Sequence, residues 1–273
     1  MKGRVLIVAG SDSGGGAGIQ ADIKTVLALG SHAMTAVTAI TAQDTTGVHA
    51  IHPIPAAFVQ QQMEVVLNDL GADVVKTGML GTAPIIEAVH QVLQGRGLPL
   101  VLDPVMVAKG GASLLDPAAI DALRAFIPLA TLLTPNLPEA EVLLGRPIQD
   151  IQEAATALLA MGPRAVLLKG GHGNGPVLQD VLATPTSIEV FETPRIETRH
   201  THGTGCTLAS AIAAGLAQGL TLQDAVTRAL AYVRAAILAA PGFGSGHGPL
   251  DHGVWLGRVF NPTQANDPHH CSA

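Results

Sequence analysis

The segment richest in chemistry is Thr201-His202-Gly203-Thr204-Gly205-Cys206-Thr207, which runs directly into the alanine-rich stretch Leu208-Ala209-Ser210-Ala211-Ile212. A glycine-rich turn that opens a helix aims several unpaired backbone N–H groups, and the positive end of the helix dipole, at one point. Gly203, Thr204 and Gly205 can therefore hold a developing phosphoryl charge. Cys206 falls in the same first turn, where the helix field lowers a thiol pKa and offers a thiolate as base toward an acceptor hydroxyl. The competing reading is that the glycines loosen a helix start and Cys206 is a small core residue.

Two further segments supply positive charge and oxygen ligands. Val166-Leu167-Leu168-Lys169-Gly170-Gly171-His172 ends an apolar run in a lysine, placed either to reach a phosphate of ATP or to solvate a loop. Leu133-Thr134-Pro135-Asn136-Leu137-Pro138-Glu139 sets Asn136 and Glu139 three apart at a strand end and helix start, where oxygen ligands suit hydrated magnesium. An Asn cap with an acidic first turn has the same pattern. Asp103, in Leu102-Asp103-Pro104-Val105, can hold water around magnesium or be a turn carboxylate, and Met79 and Val105 can wall an apolar ring slot or belong to the core. The loop Ala9-Gly10-Ser11-Asp12-Ser13-Gly14-Gly15-Gly16-Ala17-Gly18 is neither a Walker A loop nor a dinucleotide turn. Its glycines, Gly10 among them, let backbone approach a ligand, and Asp22 one turn further can hydrogen-bond a polar ring; a plain strand-to-helix turn is the alternative. The histidines are scattered with no HExxH pair, and His269 and His270 read as a solvated end.

The elements that must position these groups follow an α/β rhythm. Apolar runs at residues 5–9, 35–41, 73–76, 99–102, 131–133 and 165–169 alternate with helical periodicity at 17–29, 55–70, 82–94, 117–126, 150–161, 204–218 and 222–239. This predicts a mostly parallel sheet with helices on both faces. Residues 177–183 and 187–193 flank Thr184-Pro185-Thr186 and predict an antiparallel hairpin at one edge. Ligands of such sheets sit at the carboxyl ends of the strands, where the segments above lie. After about residue 241 Gly, Pro and His accumulate. We expect one domain over residues 1–260 and a loosely ordered tail at 261–273.

A formal net charge of -6 at a pI near 6.0 leaves no basic excess for a nucleic acid backbone. Only 13% of the 273 residues are charged, 48% are hydrophobic, and mean hydropathy is +0.38, so much surface is to be buried, a subunit interface included. The apolar runs are too short to span a membrane, and the first is too short for a signal peptide. Two cysteines, Cys206 and Cys271, make no disulfide framework and fit a reducing cytoplasm.

Taken in order, Ala9-Gly10-Ser11-Asp12-Ser13 through Asp22, Thr41-Ala42-Gln43-Asp44-Thr45, Lys76-Thr77-Gly78-Met79, Asp103-Pro104-Val105-Met106, Thr134-Pro135-Asn136 with Glu139, Lys169-Gly170-Gly171-His172 and His202-Gly203-Thr204-Gly205-Cys206-Thr207 resemble the hydroxymethylpyrimidine/phosphomethylpyrimidine kinases of thiamine biosynthesis. The resemblance covers residues 4 to 250 and implies a ribokinase-like three-layer αβα sandwich, commonly a homodimer. ATP with magnesium is the implied donor, with a potassium requirement left open. It implies two successive phosphorylations of 4-amino-5-hydroxymethyl-2-methylpyrimidine in one site, to the monophosphate and then the diphosphate. By motif position Cys206 takes the catalytic place, Gly203 to Cys206 form the anion hole, and Gln43 binds the pyrimidine with Asp22, Gly10, Met79 and Val105 nearby. Lys169, Asn136, Thr134 and Glu139 fall on the ATP side, Glu139 and Asp103 toward magnesium. Asp44 departs from the pattern, where Asn is the more frequent residue; it tunes the turn or alters how an anionic monophosphate is held. Pyridoxal or pyridoxine kinase, alone or as a second activity, is the nearest alternative, against which Gln43 argues. A non-catalytic regulatory protein would be expected to have lost Cys206, Lys169 or the Asn136/Glu139 pair, and all are present.

Overall fold

The computed structural model describes residues 1–108, 110–171 and 175–256. The expected tail at 261–273 and the histidine closing the Lys169 motif lie outside the described residues. Among the described residues nine strands form one sheet in the order β3-β2-β1-β4-β5-β6-β7-β8-β9. Six strands run parallel at its centre: β2 (His32–Gln43), β1 (Arg4–Asp12), β4 (Val74–Thr77), β5 (Leu100–Leu102), β6 (Leu132–Leu133) and β7 (Val166–Leu168). The hairpin expected at one edge is β8 (Val177–Ala183) with β9 (Ile188–Pro194). A second antiparallel strand, β3 (Val48–Pro53), closes the opposite edge. It had no apolar run to announce it, because all but one of its six residues are exposed.

Alternation along β1 explains the layers. Leu6 and Val8 face a core with Met34, Ala36, Val59 and Met63, whereas Val5, Ile7 and Ala9 face another with Val26, Ile212 and Tyr232. The first layer includes α2 (Ala56–Asp69), α3 (Ala83–Leu93), α4 (Ile120–Phe126), α5 (Leu137–Leu144) and α6 (Ile151–Leu159). The second is built by α1 (Gly18–Ala28), α7 (Thr204–Ala217) and α8 (Leu222–Leu238). Side-chain caps start several helices: Asp150 accepts from the backbone N–H of Gln152 and Glu153, and Thr221 from that of Asp224. Helix α5, anticipated only as a start at Asn136, is eight residues long and stops at Gly145, which adopts φ 70°. No described helix is long and apolar enough to cross a membrane.

Candidate active site

The carboxyl ends of β1, β2, β4, β5, β6 and β7 open onto a cavity of about 540 Å³ that also takes in the start of α7. Gly10, Gln43, Met79, Val105, Asp103, Asn136, Glu139, Lys169 and the turn Gly203 to Cys206 all line it. Two expected residues do not. Asp22 is fully buried, its carboxylate taking Lys76 Nζ at 2.8 and 2.9 Å and the Ser210 hydroxyl at 2.6 Å, and it lies behind the cavity wall, out of reach of a ring. Lys76 is equally buried; burial favours its neutral form, but the Asp22 carboxylate outweighs that and its pKa is pushed up to about 12. This ion pair braces the floor beneath the cavity, and removing one partner from such a pair costs about 3–5 kcal/mol. Thr134, expected on the ATP side, is also buried and donates to Asp103 Oδ1 at 3.0 Å, so it acts through that carboxylate.

At the ring end, Asp12 organises the glycine loop. Its carboxylate accepts the N–H groups of Gly14 (2.8 Å), Gly16 (3.0 Å) and Ala17 (2.8 Å) and meets His202 Nε2 at 2.9 Å. Burial alone would raise this carboxyl, but the His202 contact and the backbone donors hold it below its ordinary value. An ionised Asp12 keeps a proton on His202 Nε2. Gln43 meets the same nitrogen at 3.3 Å and the Thr41 hydroxyl at 3.2 Å, while Thr41 already donates to the Ser11 carbonyl at 2.8 Å. The two ends of an amide are equal in shape, and this donor set is matched when the Gln43 oxygen faces His202 and its NH2 faces Thr41. Neither Asp12 nor His202 was singled out from the sequence as a site residue. The available signal was an aspartate followed two residues later by three glycines, the pattern of a carboxylate that caps its own loop.

The transfer turn sits against that loop. Gly203 has φ 81°, and a Cβ there would land on the Gly16 carbonyl oxygen, so this crossing admits only backbone. A Cβ on Gly205 would stand 3.3 Å from Lys169 Nζ and 3.7 Å from Asp103 Oδ2, which places that ion pair beside the first turn of α7. Lys169 Nζ bonds Asp103 Oδ1 at 2.9 Å with only 13% of its side chain exposed. Burial works against its charge, yet Asp103 and Glu139 hold its pKa above the usual lysine value. Lys169 therefore reaches into the site rather than solvating a loop.

Asn136 and Glu139 form a reciprocal capping box on α5: Asn136 Oδ1 takes the Glu139 N–H at 2.9 Å and Glu139 Oε2 takes the Asn136 N–H at 2.8 Å. The cap and the site reading thus coexist, because Glu139 still borders the cavity. Burial pushes its carboxyl up to about 7, Lys169 opposes this, and the charge of Asp103 adds to it. Two buried carboxylates that share one lysine fit a divalent cation, whose charge would relieve their mutual repulsion.

Cys206 corrects an expectation. Burial pushes its thiol up to about 11, with Asp22 and Asp103 adding and Lys76 and the Gly18 N–H opposing. The helix field does not prevail, because the sulfur is packed over the cavity floor with two carboxylates in range. Asp44 does not line the cavity: Oδ1 accepts from Thr46 N (2.7 Å) and Thr46 Oγ1 (2.6 Å), and Oδ2 pairs with His49 at 3.0 Å. It tunes the turn.

Residues 12–251 match the protein family described as phosphomethylpyrimidine kinase. The chain is 52% identical over 256 residues to a thiamine biosynthesis bifunctional protein of Geobacter sulfurreducens, matching 92% of this chain and spanning about half (52%) of that longer protein. It is 49% identical to a hydroxymethylpyrimidine/phosphomethylpyrimidine kinase of Streptomyces coelicolor, covering 93% of this chain and 95% of that one. Among solved structures, an ADP complex of Bacillus subtilis pyridoxal kinase superposes with a TM-score of 0.87 at 38% identity, covering 94% of this chain and 99% of that one.

Proposed function

The chain belongs to the phosphomethylpyrimidine kinase family, and from that premise we propose that it transfers the terminal phosphate of ATP to 4-amino-5-hydroxymethyl-2-methylpyrimidine and then to the resulting monophosphate, in thiamine biosynthesis. The observation that carries the reading is Lys169 beside Gly205, held at 2.9 Å from Asp103, where the N–H groups of α7 converge. A cation and a helix start at one point stabilise charge spreading over a transferring phosphoryl group.

In the first transfer the acceptor hydroxyl oxygen forms the new P–O bond as the bond to the ADP oxygen breaks. Gly203, Thr204 and Gly205 cradle the phosphoryl oxygens, and Lys169 neutralises them. Gln43 orients the ring with Met79 and Val105 as its apolar walls, and Gly10 allows close approach. The transition state is loose and asks little of a base. The small ionised fraction of Cys206 takes the hydroxyl proton at Sγ. In the second transfer the acceptor is already an anionic phosphate and needs no base. Magnesium would be held by Glu139 and Asp103, with Thr134 fixing Asp103 and Asn136 fixing Glu139, and it would neutralise charge on the ATP phosphates.

Residues 1–260 act as one catalytic unit in this reading. A second copy would cover the exposed apolar side chains Ile40, Phe58 and Val65 on β2 and α2. Cytoplasmic location remains the expectation from the paucity of cysteines.

The test is ATP-dependent phosphorylation of the hydroxymethylpyrimidine, and separately of pyridoxine, with magnesium and with or without potassium, resolving mono- and diphosphate products. The pyrimidine diphosphate is expected. Cys206→Ala should slow the first transfer on the order of 100-fold and the second far less; equal losses in both would remove Cys206 from the base role. Product from pyridoxine alone would give the site to B6 salvage instead.

A further inference from the structure

The glycine- and histidine-rich stretch after residue 241 takes no part in the chemistry above, yet it touches both the turn that carries Gln43 and the turn that leads into α7. Its Gly246 and His247 N–H groups bond Thr45 Oγ1 (3.2 Å) and Thr45 O (2.8 Å), in the turn that carries Gln43. Next, the Gly248 carbonyl takes the His202 N–H at 3.2 Å, and Pro249 bridges to His202 in parallel. Finally His252, 5% exposed, meets the hydroxyl of Thr207 at 3.0 Å through Nε2, in the residue after Cys206. Its own carbonyl is fixed by the Tyr232 hydroxyl at 2.6 Å. Three alternate glycines make the contact possible: a Cβ on Gly244 or Gly246 would collide with Thr45, and one on Gly248 with His200.

We infer that residues 244–252 are a strap that sets the ring-recognition turn against the phosphoryl-transfer turn, with Thr45 and His252 as its two anchoring, positioning residues. Neither anchor lines the cavity, so each acts through a neighbour: Thr45 through Gln43, and His252 through Thr207 at the head of α7. Geometry between two reacting groups is what such a device would control, since a misplacement of about 1 Å can cost roughly 100-fold in rate. Burial also lowers the His252 imidazole to about 4, which keeps it neutral and the anchor unchanged across the working pH range.

The inference rests on the kinase reading for its kinetic arm only. Thr45→Val, which keeps shape and loses the acceptor oxygen, should raise the acceptor KM roughly tenfold with kcat within about twofold. His252→Leu should lower kcat roughly tenfold, and His252→Gln, which keeps a polar atom near Nε2, should recover most of it. Hydrogen exchange supplies an arm that needs no turnover: in His252→Leu the His247 amide, held by Thr45 and not by His252, should exchange several-fold faster. Should His252→Leu fail to fold, Thr207→Val removes the same bond and carries the same expectations. Unchanged exchange at His247, or a glutamine variant no better than leucine, overturns the strap. Activity of the unaltered protein on the pyrimidine judges the kinase reading separately.

Discussion

The two ends of the cavity handle charge in opposite ways. At the ring end the buried charge is answered by the protein itself: Asp12 has three backbone N–H donors and His202, which hold its carboxyl below its ordinary value. At the phosphoryl end Asp103 and Glu139 compete for Lys169, Glu139 is pushed to about 7, and the Cys206 thiol to about 11. The first region is complete without a ligand and serves as a rigid gauge of shape and hydrogen bonding. The second is left incomplete, and a metal-bound polyphosphate would supply the charges that balance it. Recognition and transfer are thus separable along one cavity.

The strongest way to break that comparison is Lys169→Ala. It removes the cation shared by two buried carboxylates and the donor aimed at the transferring group, so kcat should fall on the order of 100- to 1,000-fold. The acceptor KM should stay within a few-fold, because Gln43 and Met79 are untouched. Steady-state kinetics at saturating ATP reads both; a KM rise as large as the kcat loss would mean the two ends are not separable.

Gln43→Met sharpens it from the other side. The substitution keeps length but leaves His202 and Thr41 without their amide partner, and a ring edge that needed the amide loses it. Acceptor KM should rise on the order of 10- to 100-fold with a much smaller change in kcat, and the preference over pyridoxine should shrink. Competition between the two acceptors in one reaction measures this directly.

Much of the architecture was legible because strands buried on both faces must be apolar throughout, as Val5 to Ala9 are. Lys169, Asp103 and the Gly203 to Cys206 turn were legible too, since polar groups at the ends of apolar runs have few structural reasons to be there. What escaped depends on partners distant in sequence. The Asp12 contact spans 190 residues to His202, so neither residue advertises it alone. Asp22 reads as a free carboxylate until Lys76, 54 residues on, and Ser210 consume it. The direction of the Cys206 shift follows from packing around the sulfur, which no local pattern encodes. Strand β3 escaped because an exposed edge has no face that must be apolar.

The smallest expected effect is on stability against pH, and it tests whether the phosphoryl end is unbalanced in the way described. Glu139 is a carboxyl whose pKa rises from 4.5 to about 7 on folding. Below 4.5 both states hold the proton and its contribution to stability is fully present. As pH rises toward 7 the unfolded chain releases the proton while the folded chain keeps it, so stability falls through that window and levels off above it. Glu139→Gln holds the neutral form permanently and keeps an oxygen that can accept the Asn136 N–H of the capping box. The unaltered protein should lose Tm between pH 5 and pH 7 relative to Glu139→Gln, by roughly 2–4 °C for each kcal/mol in a domain of this size. Magnesium should narrow the gap at pH 7 and have little effect at pH 5, because a cation favours the ionised carboxylate. Calorimetric melts of both proteins across that range, with and without magnesium, read the effect. Parallel curves would place the Glu139 charge in balance before any ligand arrives, and the contrast between the two ends of the cavity would then rest on Lys169 and Asp103 alone.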